Sequence, residues 1–158
     1  MKSARIHCET VLRAPFDKVV AALMSPKAMQ TVAWPIVTIR PTDPPAFPEK
    51  WEEQAYETRV ALFGIVPLGR QWISVSFEPG EDGEAFRGHD AGWSDFVKRW
   101  DHRIGVRRIN AGSTWYADTV TIEAGWKTRF TALFVKMLFR HRQRRLRKLA
   151  KRGFSGLV

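Results

Sequence analysis

The sequence predicts an α+β fold in which a curved antiparallel β-sheet wraps around a long C-terminal α-helix. Three observations carry that prediction. The chain opens on one strand pattern followed by two short helical patterns. Residues 51 to 123 read as successive strands divided by turn residues. The apolar periodicity from Trp126 onwards is helical and long. With 158 residues, 44% of them hydrophobic, the chain is expected to form a single domain, 1–158, around one sizeable core.

Each element has its own signal. "ARIHCETVLRAP" (4–15) alternates and stops at Pro15, and "FDKVVAALMS" then sets Phe16, Val19, Val20 and Leu23 at helical spacing. Pro26 opens a second short helix, "KAMQTVAW". After "IVTIR", the stretch "PTDPPAFP" (41–48) is too rich in proline for regular structure and is expected to be an extended loop. The meander strands are "WEEQAYETRVALFG", "RQWISVSFE", "EAFRGHDAGW", "FVKRWDHRIGVRRI" and "STWYADTVTIE", with turns at Gly64 to Gly69, "PGEDGE" and "NAGS". The last helix is expected from about Trp126 to Arg152, with Gly153 just past its end.

On a helical wheel Trp126, Phe130, Leu133, Phe134, Met137, Leu138 and His141 share one side, the predicted packing face. Val135, Phe139, Leu146, Leu149 and Ala150 form a second stripe flanked by arginines. Because the first stripe breaks at Arg144, Arg145 and Lys148, the helix is expected to finish packing near His141, with 142–158 a basic extension.

The net charge of +10 is uneven: all 16 acidic residues precede residue 126, whereas the last 33 residues carry 11 Lys or Arg. Arg140, Arg144, Arg145, Arg147 and Lys148 are therefore candidates for contact with an anionic surface. The opening "MKSARIHCETVL" lacks the apolar run of a secretory signal, and no stretch reaches the ~18 apolar residues of a membrane span, so a cytoplasmic location is expected. Cys8 is the only cysteine, which excludes an internal disulfide and a multi-cysteine zinc site. No phosphate loop, metal-spaced histidine cluster or Ser-His-Asp signature appears, and no cofactor or metal is expected.

Period two puts Trp100, His102, Ile104 and Val106 on one face of their strand, and Tyr116, Asp118, Val120 and Ile122 on one face of the next. If "NAG" is a three-residue turn, Ile109 faces Ser113 and Asp118 faces Ile104. His102 then lies diagonal to Asp118, roughly 7 to 8 Å away by backbone geometry. These two are the candidate catalytic residues, able to polarise a ligand oxygen with Tyr116 or simply to satisfy one another as buried polar groups. Tyr56, Val60, Leu62, Ile73, Val75 and Phe77 are further lining or core candidates, and Trp51, Trp72 and Trp93 either close a cavity mouth or cap the sheet.

The stretch "FVKRWDHRIGVRRINAGSTWYADTVTIEAG" resembles the START and polyketide-cyclase-like (SRPBCC) superfamily of helix-grip proteins through Trp100, His102, Gly112, Thr114, Asp118, Val120 and Ile122, as does the opening "VLRAPFDKVVAAL". The resemblance implies an apolar cavity between sheet and long helix for a lipid, sterol, quinone or polyketide. Ligand contacts would come from Tyr56, Trp100, His102, Ile104, Tyr116, Asp118, Val120, Phe130, Phe134 and Met137. Ile104 stands where relatives often have a second histidine, which counts against two-histidine chemistry.

Three functions fit: a carrier or sensor of a hydrophobic small molecule, a cyclase- or dehydratase-like enzyme using His102 and Asp118, and a module whose basic helix end meets a membrane, RNA or another protein. The carrier is the leading expectation, with a peripheral anionic-membrane contact as a possible partner. Nucleic acid is disfavoured because a helix-grip framework is not a base-reading fold. Oligomeric state is left open.

Overall fold

The computed structural model describes residues 2–157. Met1 and Val158, the ends of the predicted domain, lie outside them. One strand, β1 (Ala4–Leu12), is followed by α1 (Phe16–Leu23) and α2 (Pro26–Ala33). Six further strands come next: β2 (Val37–Asp43), β3 (Ala55–Leu62), β4 (Val66–Pro79), β5 (Ala85–Ser94), β6 (Arg99–Asn110) and β7 (Ser113–Glu123). A single 3₁₀ turn, Gly125–Lys127, leads into α3 (Thr128–Lys151). The strands form one curved antiparallel sheet in the order β1-β7-β6-β5-β4-β3-β2, and α3 lies along β1. This is the helix-grip architecture the sequence predicts.

Local chemistry explains the boundaries. Ser25 caps α2, its hydroxyl accepting from the Ala28 amide at 3.4 Å, and Pro26 takes the first helical position, where no donor is needed. The expected loop at 41–48 begins later, because β2 continues through Pro41 to Asp43. β2 is an edge strand, so one of its sides has no ladder for a missing proline donor to break. At the β6–β7 hairpin, Asn110 pairs with Ser113, leaving Ala111-Gly112 as a two-residue turn, and the register shift falls at Ile109. The extra residue is thus a bulge and not part of a three-residue turn. Beyond it the pairing is the expected one, Ile104 opposite Asp118 and His102 opposite Val120.

The face of α3 is a correction. Val135, Leu138, Phe139, Gln143, Leu146 and Ala150 are buried, whereas Trp126, Phe130, Leu133 and Met137 are exposed, Phe130 at 75%. The buried side lies about 180° from Trp126 on the helical wheel. Nor do residues 142–152 project. Arg152 ends the helix, the Gly153 amide donates to Ala150 O (2.9 Å) and the Phe154 amide to Leu149 O (2.9 Å), a Schellman cap. Gly153 adopts φ +63°, and Phe154, 1% exposed, plugs the core among Leu12, Phe16 and Val19. Only the Val135–Ala150 stripe stays apolar to the end of the helix, and a helix anchored at its C-terminus must pack along that stripe.

Leu146→Ala should therefore cost about 2 to 5 kcal/mol of stability in urea unfolding, as a buried leucine truncation does. Phe130→Ser should stay within about 0.5 kcal/mol. The opposite ranking would restore the sequence-based face.

Candidate functional site

β6 and β7 bring His102 and Asp118 together on the concave side of the sheet, both buried. His102 Nε2 donates to Asp118 Oδ1 at 2.8 Å, and the Tyr116 hydroxyl donates to the same oxygen at 2.7 Å. Gln143, from α3, donates to Asp118 Oδ2 at 2.9 Å and to the Cys8 carbonyl of β1 at 2.8 Å. Burial alone would raise the Asp118 carboxyl, but its hydrogen bonds from His102 and Gln143 and the Arg142 charge hold it below the ordinary carboxylate range. Burial lowers the His102 pKa by more than Asp118 raises it. The ring is therefore neutral, its Nε2–H committed to Asp118 and its Nδ1 an acceptor. Burial, with the Asp118 charge, pushes the Tyr116 hydroxyl well up, so it stays protonated.

This cluster forms one wall of an interior cavity of about 130 Å³, between sheet and α3. The opposite walls are apolar, with Met29, Val32, Ile73, Val75, Phe77 and Leu146 among them. Besides His89, whose Nε2 pairs with Asp101 Oδ1 at 3.0 Å, two further ionisable groups line it. Asp90, on β5 across from His102, accepts from the Ser74 amide at 2.8 Å. Burial pushes its carboxyl up to about 7, against the opposing effect of that hydrogen bond. Gly92 makes this arrangement possible, since a Cβ there would stand 2.1 Å from the Trp72 carbonyl oxygen. Arg142 lays its guanidinium 4.5 Å over the Phe139 ring, and its buried Nε has no hydrogen-bond partner among the described residues.

In sequence, residues 10–150 match a family described as "Domain of unknown function (DUF8410)". The chain belongs to this family. No curated protein matches it in sequence. In structure it is similar to a START superfamily protein from Mycobacterium smegmatis (TM-score 0.63, 11% identity, covering 94% of this chain and 97% of that one). It is also similar to the Zhui aromatase/cyclase from Streptomyces sp. R1128 (TM-score 0.65, 9% identity, 98% of each chain). A third similar structure is norcoclaurine synthase from Thalictrum flavum in complex with dopamine and hydroxybenzaldehyde (TM-score 0.62, 10% identity, 96% of this chain and 88% of that one). At these identities the likeness establishes the fold, START and polyketide-cyclase-like, and nothing finer.

In this DUF8410 member Trp100, His102, Ile104, Tyr116 and Asp118 all line the cavity. Tyr56 does not. It is fully buried, its hydroxyl accepting from the Glu52 amide at 3.1 Å, and it packs edge-on to Trp51. Val120 sits beneath the sheet face with Ile6, Val135 and Phe139. Phe130 and Phe134 line an outer groove, and Met137 faces outside, because the helix is turned the other way. Of the basic candidates, Arg140, Arg144 and Lys148 are exposed. Arg145 instead donates to Thr31 O at 2.9 Å and covers Trp34, and exposed Arg147 reaches Thr10 Oγ1 at 3.1 Å. Asp90, Arg142 and Gln143 were missed. The period that selected His102 also places Asp90 inward with Phe86 and Gly88, and Arg142 and Gln143 interrupt the second apolar stripe of α3, a polar pair on a packing face.

Asp90 generates a pH prediction. The unfolded chain releases this proton near 3.8, the folded state only near 7. Its contribution to stability is therefore full below the lower value and lost as pH rises through the upper one. Asp90→Asn keeps an acceptor for Ser74 but cannot ionise. Its stability relative to wild type should rise across that window and reach about 2 to 4 kcal/mol above it, by urea unfolding. His102 and Asp118 titrate in both proteins and cancel in the difference, so parallel pH profiles would refute the assignment.

Proposed function

We propose that the chain binds a small hydrophobic molecule in the cavity between sheet and α3, oriented by an oxygen atom of the ligand. The observation that supports this most directly is Arg142, a cation whose buried Nε is left without a protein partner at the edge of an apolar cavity. A buried polar atom left unpaired costs about 1 to 3 kcal/mol, which a ligand oxygen would offset. His102 Nδ1 is a matching acceptor for a ligand hydroxyl. The volume narrows the class. At about 130 Å³ the cavity is comparable with one of about 150 Å³ that holds benzene, and below the ~300 Å³ of a drug-sized site. The best-fitting ligand is therefore a single-ring phenol or aryl carbonyl compound. A lipid, quinone or polycyclic polyketide would need the wall of Val37, Gln71, Trp100 and Leu138 to part, since these four line both the cavity and the outer groove.

Calorimetric titration with single-ring phenols and aryl ketones tests the reading. At least one should bind, and Arg142→Met and His102→Ala should each weaken it about ten-fold or more, as loss of a hydrogen bond to a charged or polarised group does. Equal affinity in both variants would remove these residues from the site.

A second reading, proton transfer on a bound carbonyl compound, is favoured by one observation. Asp90 lines the same cavity with a carboxyl poised near neutrality, as an acid–base group requires. Asp118, which already accepts three hydrogen bonds, would act only by orienting His102 and Tyr116.

A further inference from the structure

The outward side of α3 carries an ordered pattern that folding does not explain. Phe130, Leu133 and Met137, followed by Arg140, Arg144, Lys148 and Lys151, fall on one stripe within about 50° of its centre at 100° per residue, and Trp126 of the preceding 3₁₀ turn adds to its apolar end. The first half of the stripe is apolar and the second basic. Trp126, Phe130 and Leu133 are 83%, 75% and 69% exposed. A second element adds to the apolar half. The β3–β4 hairpin contributes Leu62 and Leu68 to the outer groove that Trp126 and Phe130 also line, and its turn exposes Phe63, Ile65 and Val66, with Ile65 at 81%. The groove, about 480 Å³, is walled mainly by apolar side chains. Isolated exposed apolar residues are ordinary, but a cluster from two distant segments around one groove marks a surface that something covers.

Charge decides what covers it. Lys127, Arg129, Lys136, Arg140 and Arg144 accompany the apolar residues, and none of the five is in a salt bridge among the described residues. No acidic residue occurs from 126 to the end of the sequence. A second copy docking through this face would set two acid-free helices against each other. Nucleic acid would match the charge and could stack on Trp126, Phe130 or Phe63, but it would leave the aliphatic half of the surface, Leu133, Met137, Ile65 and Val66, in water. An anionic bilayer matches both halves, with apolar side chains entering below the headgroups and cations meeting the phosphates.

We propose that the N-terminal half of α3 and the β3–β4 turn form a docking surface for an anionic lipid bilayer. The groove mouth then faces the membrane, and basic residues from Lys127 to Arg144 hold the helix at headgroup level. The surface stands independently of what the interior cavity holds. It also moves the anionic contact predicted from sequence, Arg140 to Lys148, toward the other end of the helix, with Arg140 and Arg144 shared by both.

Cosedimentation of the full chain with phosphatidylcholine vesicles, with and without phosphatidylglycerol, tests the surface. Wild type should bind the mixed vesicles and lose affinity with added salt, as exposed charge contacts do. The double variant Trp126→Ser, Phe130→Ser, whose altered residues are exposed, should unfold at the wild-type temperature yet bind at least about a hundred-fold more weakly, the loss expected for two large apolar side chains no longer inserting. Lys136→Gln with Arg140→Gln should weaken binding to the mixed vesicles and flatten the salt dependence. Three results overturn the proposal. The first is an apolar variant that equals wild type on mixed vesicles; the second is a wild type that ignores vesicles yet forms a dimer that the double variant dissolves, which assigns the face to a second copy; the third is a wild type that ignores vesicles yet binds RNA in the same buffer, which assigns it to nucleic acid.

Discussion

An ionised carboxylate buried under a β-sheet is the constraint from which much of this structure follows. Asp118 is 2% exposed, and a charge there is tolerable only if its oxygens are fully hydrogen-bonded. Its three donors come from different places: His102 from the neighbouring strand, Tyr116 from its own strand, Gln143 from the helix. Meeting all three fixes the β6–β7 register and the rotation of α3 together. Gln143 also reaches the Cys8 carbonyl of β1, so one amide ties the helix to two adjacent strands. Rotating α3 to bury Trp126 and Phe130 would carry Gln143 away and leave the carboxylate under-satisfied. The helix exposes Trp126 and Phe130 because the opposite side holds Gln143, the residue that Asp118 needs, and carries Leu146 and Ala150 to the helix end.

That coupling explains what was legible in the sequence. The strand and helix order could be read because alternation, helical spacing and turn residues are local signals. The His102–Asp118 meeting could also be read, because a strand's period of two and one hairpin fix which side chains converge, and the bulge at Ile109 left that register unchanged. The face of α3 depended on non-local information. Two apolar stripes compete over its first half, and ranking them by hydrophobicity favours Trp126, Phe130 and Leu133. The deciding facts were the continuation of the other stripe through Leu146 and Ala150 and the anchoring of the C-terminus by Phe154. Phe154 follows a glycine, and that pair is a readable stop signal whose apolar partner, tucked back onto the helix, shows that the terminal turns pack. Arg142 and Gln143 were hidden by the same choice, because polar residues on a face judged exposed attract no attention.

A helix with two occupied faces also accounts for the chain's charge. On the inner side Arg142 is the one Lys or Arg among the described residues lining the cavity, near the ionised Asp118 and an Asp90 carboxyl poised near neutrality. Any ligand entering that space meets a site whose charge depends on whether Asp90 is protonated, and an uncharged oxygen function suits both states. On the outer side the cations are solvated and unpaired, where they cost the fold little. Between the two sides stands a mostly apolar partition. Trp100 and Leu138, with Val37 and Gln71, line the inner cavity and the outer groove alike. Neither Trp100 nor Leu138 is part of the hydrogen-bonded cluster that fixes the helix. Displacing them would leave the donors of Asp118 in place but would cost packing, since Trp100 lies against Phe139 and Leu138 is buried with Val37 and Val60.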